Sequence, residues 1–118
     1  MKLVKIIVFS LFLTFLFPAF VFAAQQTAGE ITTMSTSWGE LQMTRQECLR
    51  RAETAMREGG FSKGLEIVDN SSVFGDRGAY IASVRCIEVK QITIVFFVVA
   101  GPSGDRVGQY RGEIERNF

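Results

Sequence analysis

Ala79-Tyr80-Ile81-Ala82-Ser83-Val84-Arg85-Cys86-Ile87-Glu88-Val89, then Lys90-Gln91, then Ile92-Thr93-Ile94-Val95-Phe96-Phe97-Val98-Val99-Ala100, is the stretch that decides the fold. Successive side chains of a strand point to opposite faces of its sheet. In the first run Tyr80, Ala82, Val84 and Cys86 therefore share one face, while Ser83, Arg85 and, at the ends, Ile81 and Ile87 share the other. This alternation predicts a half-buried strand with Cys86 on its inner face. The second run is apolar everywhere except Thr93. Such a run needs cover on both faces and belongs in the interior of a sheet.

Working outward, Gly101-Pro102 ends the second strand, Ser103 can cap a helix, and Val107, Tyr110, Ile114 and Phe118 repeat at helical spacing to make one apolar stripe. Upstream, Gly64 to Phe74 reads as a strand carrying Leu65, Ile67, Val73 and Phe74. The polar Asp69-Asn70-Ser71-Ser72 interrupts it as a bulge or irregular edge, and Gly75-Asp76-Arg77-Gly78 reads as a tight turn. A helix precedes it from Thr44 to about Glu58. Thr44-Arg45-Gln46-Glu47 is a capping box in which Thr44 caps the first turn and Glu47 bonds back. Cys48, Leu49, Ala52, Ala55 and Met56 fall on one face; Arg50, Arg51, Glu53, Arg57 and Glu58 fall outside it as a solvated surface. Gly59-Gly60 supplies the left-handed residue that stops the helix, and Phe61 folds back on its last turn. A first strand is expected over Thr36 to Met43, with Trp38, Leu41 and Met43 able to bury area. The order β-α-β-β-β-α predicts an α+β fold, an antiparallel sheet of three to four strands with two helices packed on one face.

The chain opens with Lys2 and Lys5, continues apolar from Ile6 to Phe22 and reaches Val21-Phe22-Ala23. A basic start, an apolar run and a small-residue site in that order predict a secretory signal peptide over residues 1–23, cut after Ala23. The same run is at the lower limit for a membrane-spanning helix, so an uncleaved anchor is the alternative. No Cys stands at the junction to carry a lipid. Residues 24–35 read as a flexible leader and 36–118 as a single domain. The full chain carries 13 basic and 12 acidic residues. Lys2 and Lys5 leave with the signal, so the exported form has one more acid than base. That balance gives no reason to expect nucleic acid as partner, and the membrane is met only during export.

Cys48 lies on the apolar face of the first helix and Cys86 on the inner face of a strand. Packing helix on sheet brings them together, and a Cys48–Cys86 disulfide is predicted, with a structural role in an oxidising compartment. The pair lacks the Cys-x-x-Cys spacing of a redox or metal site.

The chain contains no His. This removes the Ser-His-Asp and Cys-His nucleophilic sets and the usual zinc sites, so no catalytic residue, metal or cofactor is assigned. Three weaker features remain. Carboxylates such as Glu40, Glu66 or Asp69 would serve an enzyme that uses acids alone. The Gly101-Pro102-Ser103-Gly104 joint would serve an anion carrier, though ordinary cap chemistry explains it. Asn70-Ser71-Ser72 matches a glycosylation sequon.

The feature left over is apolar. With both helices on one face, Ile94, Phe96 and Val98, with Ile81 and Ile87 alongside, need other cover or form a partner surface. Either the first strand, the leader or the last helix covers them, or they are exposed. Together the apparent signal peptide, Cys48-Leu49-Arg50-Arg51-Ala52-Glu53, Gly60-Phe61, Tyr80 to Cys86 and the apolar strand ending Val99-Ala100-Gly101 resemble a group of small secreted bacterial proteins of unassigned function. The resemblance covers roughly residues 44 to 118, implies the same fold and disulfide, and carries no active site. The expectation is an exported non-enzymatic interaction module, periplasmic or extracellular, binding a protein partner or a second copy of itself. A small-ligand carrier is the alternative.

Overall fold

In the computed structural model, which describes residues 33–118, the order is β1 (Thr33–Leu41), α1 (Arg45–Glu58), β2 (Lys63–Val68), β3 (Ser72–Arg77), β4 (Tyr80–Val89), β5 (Ile92–Gly101) and α2 (Gly104–Asn117). The expected signal peptide, and the leader up to residue 32, lie outside the described residues. The class is α+β as expected, but the antiparallel sheet has five strands, in the order β1-β5-β4-β3-β2.

The extra strand arises where a single interrupted one was expected. Asp69 and Asn70 both adopt positive φ, 53° and 50°, and the Ser71 N–H donates to the Val68 carbonyl. Two successive left-handed residues reverse a chain with the twist a hairpin needs, and Asp and Asn tolerate that conformation best after Gly. The polar tetrad is thus a turn between β2 and β3. The next reversal lies at Gly78, φ 58°, with Arg77 paired to Tyr80, so Gly75 to Arg77 belong to β3 rather than to a turn. Gly75 has a different purpose. A Cβ on it would overlap the Phe61 carbonyl, so glycine there lets the segment leaving α1 lie directly on the strand.

β1 begins at Thr33, so residues 33–35 of the expected leader are strand. Its alternation turns Leu41 toward the core and leaves Trp38 exposed on the other face, which corrects the expectation that both bury area. β5 lies inside the sheet between β1 and β4.

Both helices pack on the same face, α1 over β3 and β4 and α2 over β1 and β5, and they touch each other. Beneath them Cys48, Leu49, Met56, Phe61, Val84, Val95, Val99, Val107 and Ile114 form the core. Fully burying side chains of this size stabilises by roughly 1.5–3 kcal/mol each before entropy is counted. Thr93, the single polar member of β5's apolar run, is fully buried and donates its hydroxyl to the Met43 carbonyl at 2.6 Å. The Cys48–Cys86 disulfide joins α1 to β4 at a Cα–Cα distance of 6.1 Å.

The helix ends follow their sequence signals, with one exception. Thr44 Oγ1 accepts from the Glu47 N–H at 3.2 Å, and Ser103 Oγ accepts from the Arg106 N–H at 3.4 Å. At the end of α1, Phe61 N–H reaches the Met56 carbonyl and Gly60 N–H that of Arg57, with Gly60 at φ 84°. That is the paired bonding of a Schellman stop. The exception is the Glu47 carboxylate, which is engaged by Arg50 and Arg51 instead of bonding back to residue 44. The Arg45 N–H is satisfied from the sheet, by Glu88 Oε1 at 2.8 Å.

Polar clamps tie the helices to the strands. Arg77 lies 4.1 Å over the Tyr110 ring while donating to the Gly59 carbonyl at 3.0 Å and to Glu113 at 3.2 Å. Arg111 donates to Ser35 Oγ at 2.7 Å and to Glu115 at 2.8 Å, and Ser37 also donates to Glu115.

Candidate functional site

Because both helices take one face, the side chains that alternate away from them make up a second, open face. The register writes it out in rows. Met34, Ala100, Ile81, Asp76 and Lys63 are successive partners, as are Thr36, Val98, Ser83, Phe74 and Glu66. Trp38, Phe96, Arg85, Ser72 and Val68 form the next row, and Glu40, Ile94 and Ile87 the one after. The five residues singled out from sequence, Ile81, Ile87, Ile94, Phe96 and Val98, thus lie side by side on β4 and β5.

No described helix or strand lies over this face. β1, a candidate for covering it, is instead a member of the sheet, and α2 is on the far side. The exposures are large for such residues: Met34 63%, Trp38 65%, Ile81 43% and Phe96 36%. Met34 and Trp38 were missed in the sequence because the first had been placed in the leader and the second in the core. Their period-2 separation, and the odd spacing between Trp38 and Leu41, is the signal that separates the faces.

Arg85 stands at the middle of the sheet, on β4, with Phe96 and Ser72 as cross-strand neighbours. It is exposed and makes no ion pair with any described residue. Glu40 and Glu66 share this face but stand on opposite edge strands, four strand spacings apart. That is roughly 19 Å, well beyond the separation at which two carboxylates act on one glycosidic bond. Asp69 is in the β2–β3 turn. The acids named as possible catalytic groups are therefore not brought together.

The other candidate features resolve into structure. At the Gly101–Gly104 joint the Ser103 hydroxyl caps α2, and Gly101 leaves room for the Tyr80 ring. At the β4–β5 hairpin a shallow cleft of about 420 Å³ is lined by Gln42, Met43, Thr44, Glu88, Lys90 and Gln91. Glu88 in it is already engaged by the first amide of α1. Asn70 of the sequon holds its turn and accepts from the Gln46 side chain at 3.0 Å.

On the helices, hydrogen-bonded neighbours shift three groups. Hydrogen bonding from Arg50, and secondarily the charges of Arg50 and Arg51, holds the Glu47 carboxyl below its ordinary range, and Glu47 raises Arg50 in return. The hydrogen bond to Tyr110 raises Arg106. The open face is apolar over β1, β5 and β4, with Arg85 at the middle of the sheet.

No protein-family model matches the chain, and no curated protein matches it. Among solved structures, the protein SSP2350 from Staphylococcus saprophyticus is similar at 14% identity and a TM-score of 0.48, over 70% of this chain and 82% of that one.

Proposed function

We propose that this protein is a small exported, non-enzymatic interaction module that engages a protein partner through the open face of its sheet. The observation that carries the reading is the continuous apolar surface of Met34, Trp38, Ile81, Ile94, Phe96 and Val98 on the face away from both helices. Apolar side chains in one contiguous patch are costly to leave in water and mark association surfaces. The disulfide fits an oxidising compartment, periplasm or exterior, as do the signal-like first 23 residues and the likeness to small secreted bacterial proteins.

A photoactivatable residue placed at Thr36, exposed on the open face, and separately at Thr54, exposed on α1, tests the proposal in the exported fraction. A defined protein adduct from position 36 and none from position 54 is the expected result. Absence of any protein adduct from position 36 would overturn it, and a small-molecule adduct on the native mass would move the reading to a ligand carrier.

A further inference from the structure

We infer that the occupant of the open face is a second copy of this chain, held face to face about a two-fold axis that crosses β5, with Arg85 of each copy against Glu40 of the other. The inference rests on reading that face as an interaction surface and names its partner.

The size is close to what is needed. The three strands that carry most of the apolar side chains, β1, β5 and β4, are 9, 10 and 10 residues long and present about 470 Å² at roughly 3.4 Å per residue and about 4.8 Å between strands. Two copies in contact there would bury about 950 Å², near the roughly 1,000 Å² of a specific interface. The apolar content is not spread evenly. Most of it lies on β1, β5 and β4, whereas on the β3 and β2 side Phe74 and Val68 stand among Ser72, Asp76, Lys63 and Glu66. A self-complementary interface should therefore centre on β5.

The charges agree with that centre. Arg85 is opposite Phe96, and Glu40 is opposite Ile94 two residues along β5. Two strand spacings and two residues place these charges roughly 12 Å apart, too far to pair within one copy. A two-fold axis through their midpoint, on β5 between Ile94 and Phe96, lays each Arg85 on the other copy's Glu40 and makes two pairs at once. The midpoint is ringed by Trp38, Ile87, Ile94 and Phe96. Glu66 is equally far from Arg85, but its midpoint falls on β3 between Ser72 and Phe74, beside Ser83. An axis there would set one aromatic ring, Phe74, among the hydroxyls of Ser72 and Ser83, against four large apolar side chains around the β5 midpoint. An axis through Arg85 itself would oppose two unpaired cations.

Neither the exported chain's net charge nor its own leader competes with a second copy. One excess acid gives little repulsion between copies. Residues 24–32 read Ala-Gln-Gln-Thr-Ala-Gly-Glu-Ile-Thr, with Ile31 the one large apolar side chain, too few to cover this face.

Sedimentation of the processed, exported protein tests the inference, with R85E, E40R and the double variant R85E/E40R. The wild type should sediment as a dimer. Each single reversal puts like charges together twice per dimer and should weaken association at least about tenfold, and the double variant should recover it. Recovery requires that the double variant, which carries both substitutions, is folded, and circular dichroism of each single variant guards against a mere loss of structure. A monomeric wild type, or a double variant no better than the singles, would overturn the inference. The photoadduct from position 36 separates the two proposals: a mass of two chains supports this one, a mass of one chain plus a different protein refutes it while leaving the interaction reading intact, and no adduct removes both.

Discussion

Removing the Cys48–Cys86 bridge tests how much of this fold depends on cross-linking. The bonded residues are 38 apart in sequence. In the chain-entropy model, releasing a loop of that length returns about 13 cal/mol/K to the unfolded chain, or about 4 kcal/mol at 25 °C. For a domain of this size that is a large share of the usual 5–15 kcal/mol of net stability. Both sulfurs are fully buried between α1 and β4, so C48A/C86A also loses packing, and the cleaner perturbation is to reduce the wild type. Urea unfolding followed by far-UV circular dichroism, with and without reductant and with thiol titration to verify reduction, gives the number directly. The reduced protein should lose about 4 kcal/mol, show a steeper dependence on urea because its unfolded chain exposes more surface, and melt about 16–32 °C lower. A loss below about 1 kcal/mol in fully reduced protein would refute the entropic account. A loss as large as expected with no change in urea slope would point to native-state packing instead.

Gly75→Ala should be among the most damaging single changes, because its Cβ would overlap the Phe61 backbone rather than a movable side chain. A loss of about 3 kcal/mol or more in urea unfolding is expected, and a loss under about 1 kcal/mol would contradict the close approach. Arg77→Met retains bulk over Tyr110 but removes the bonds to Gly59 and Glu113, and should lower stability by roughly 1–3 kcal/mol. A double-mutant cycle with Glu113→Gln checks how much of that is the half-exposed ion pair. Glu47 titrates below its ordinary value in the folded state, so its pairing with Arg50 is fully effective above the unfolded value, about 4.3, and is lost as pH falls through the lower folded value. Glu47→Gln should therefore flatten the acid limb of the stability curve without altering it near neutral pH beyond a constant offset, and an unchanged acid limb would exclude Glu47 as a contributor.

What could be read from the sequence was what is encoded locally. α1 is bounded by a cap, a glycine stop and a period of 3.6, all within consecutive residues, and the structure reproduces each apart from the Glu47 side chain. β4 declares its inner face by alternation, which also placed the Cys48–Cys86 pair correctly, whereas β5, apolar on both faces, is covered on one face only. The β2–β3 hairpin was obscured because its reversal uses Asp69 and Asn70, while the glycine beside it, Gly75, serves packing. Arg77 and Arg111 resemble ordinary surface charges in sequence, and only the packing of the helices on the sheet brings Arg77 to Gly59 and Glu113 and Arg111 to Ser35. The open face was legible on β5 and β4 but not on β1, whose Thr33–Leu41 carries too few large apolar residues to mark a strand by composition. Even so, Trp38 contributes its most exposed large apolar side chain.

The pairing of the first described strand with the last has a kinetic consequence. Thr33 meets Gly101 and Leu41 meets Thr93, so β1, although synthesised first, finds its partner only after nearly the whole domain has emerged. Closing loops of that length is slow, and until it happens the flank of β5 offers unpaired backbone to any passing chain. The meander of β2 to β5 needs only short reversals and can assemble ahead of it. Once α1 docks and the Cys48–Cys86 bond forms, the segments 41–48 and 86–93 are all that separate Leu41 from Thr93 along the cross-linked chain. The oxidation that holds the finished domain together thus also shortens the search by which its last strand is found.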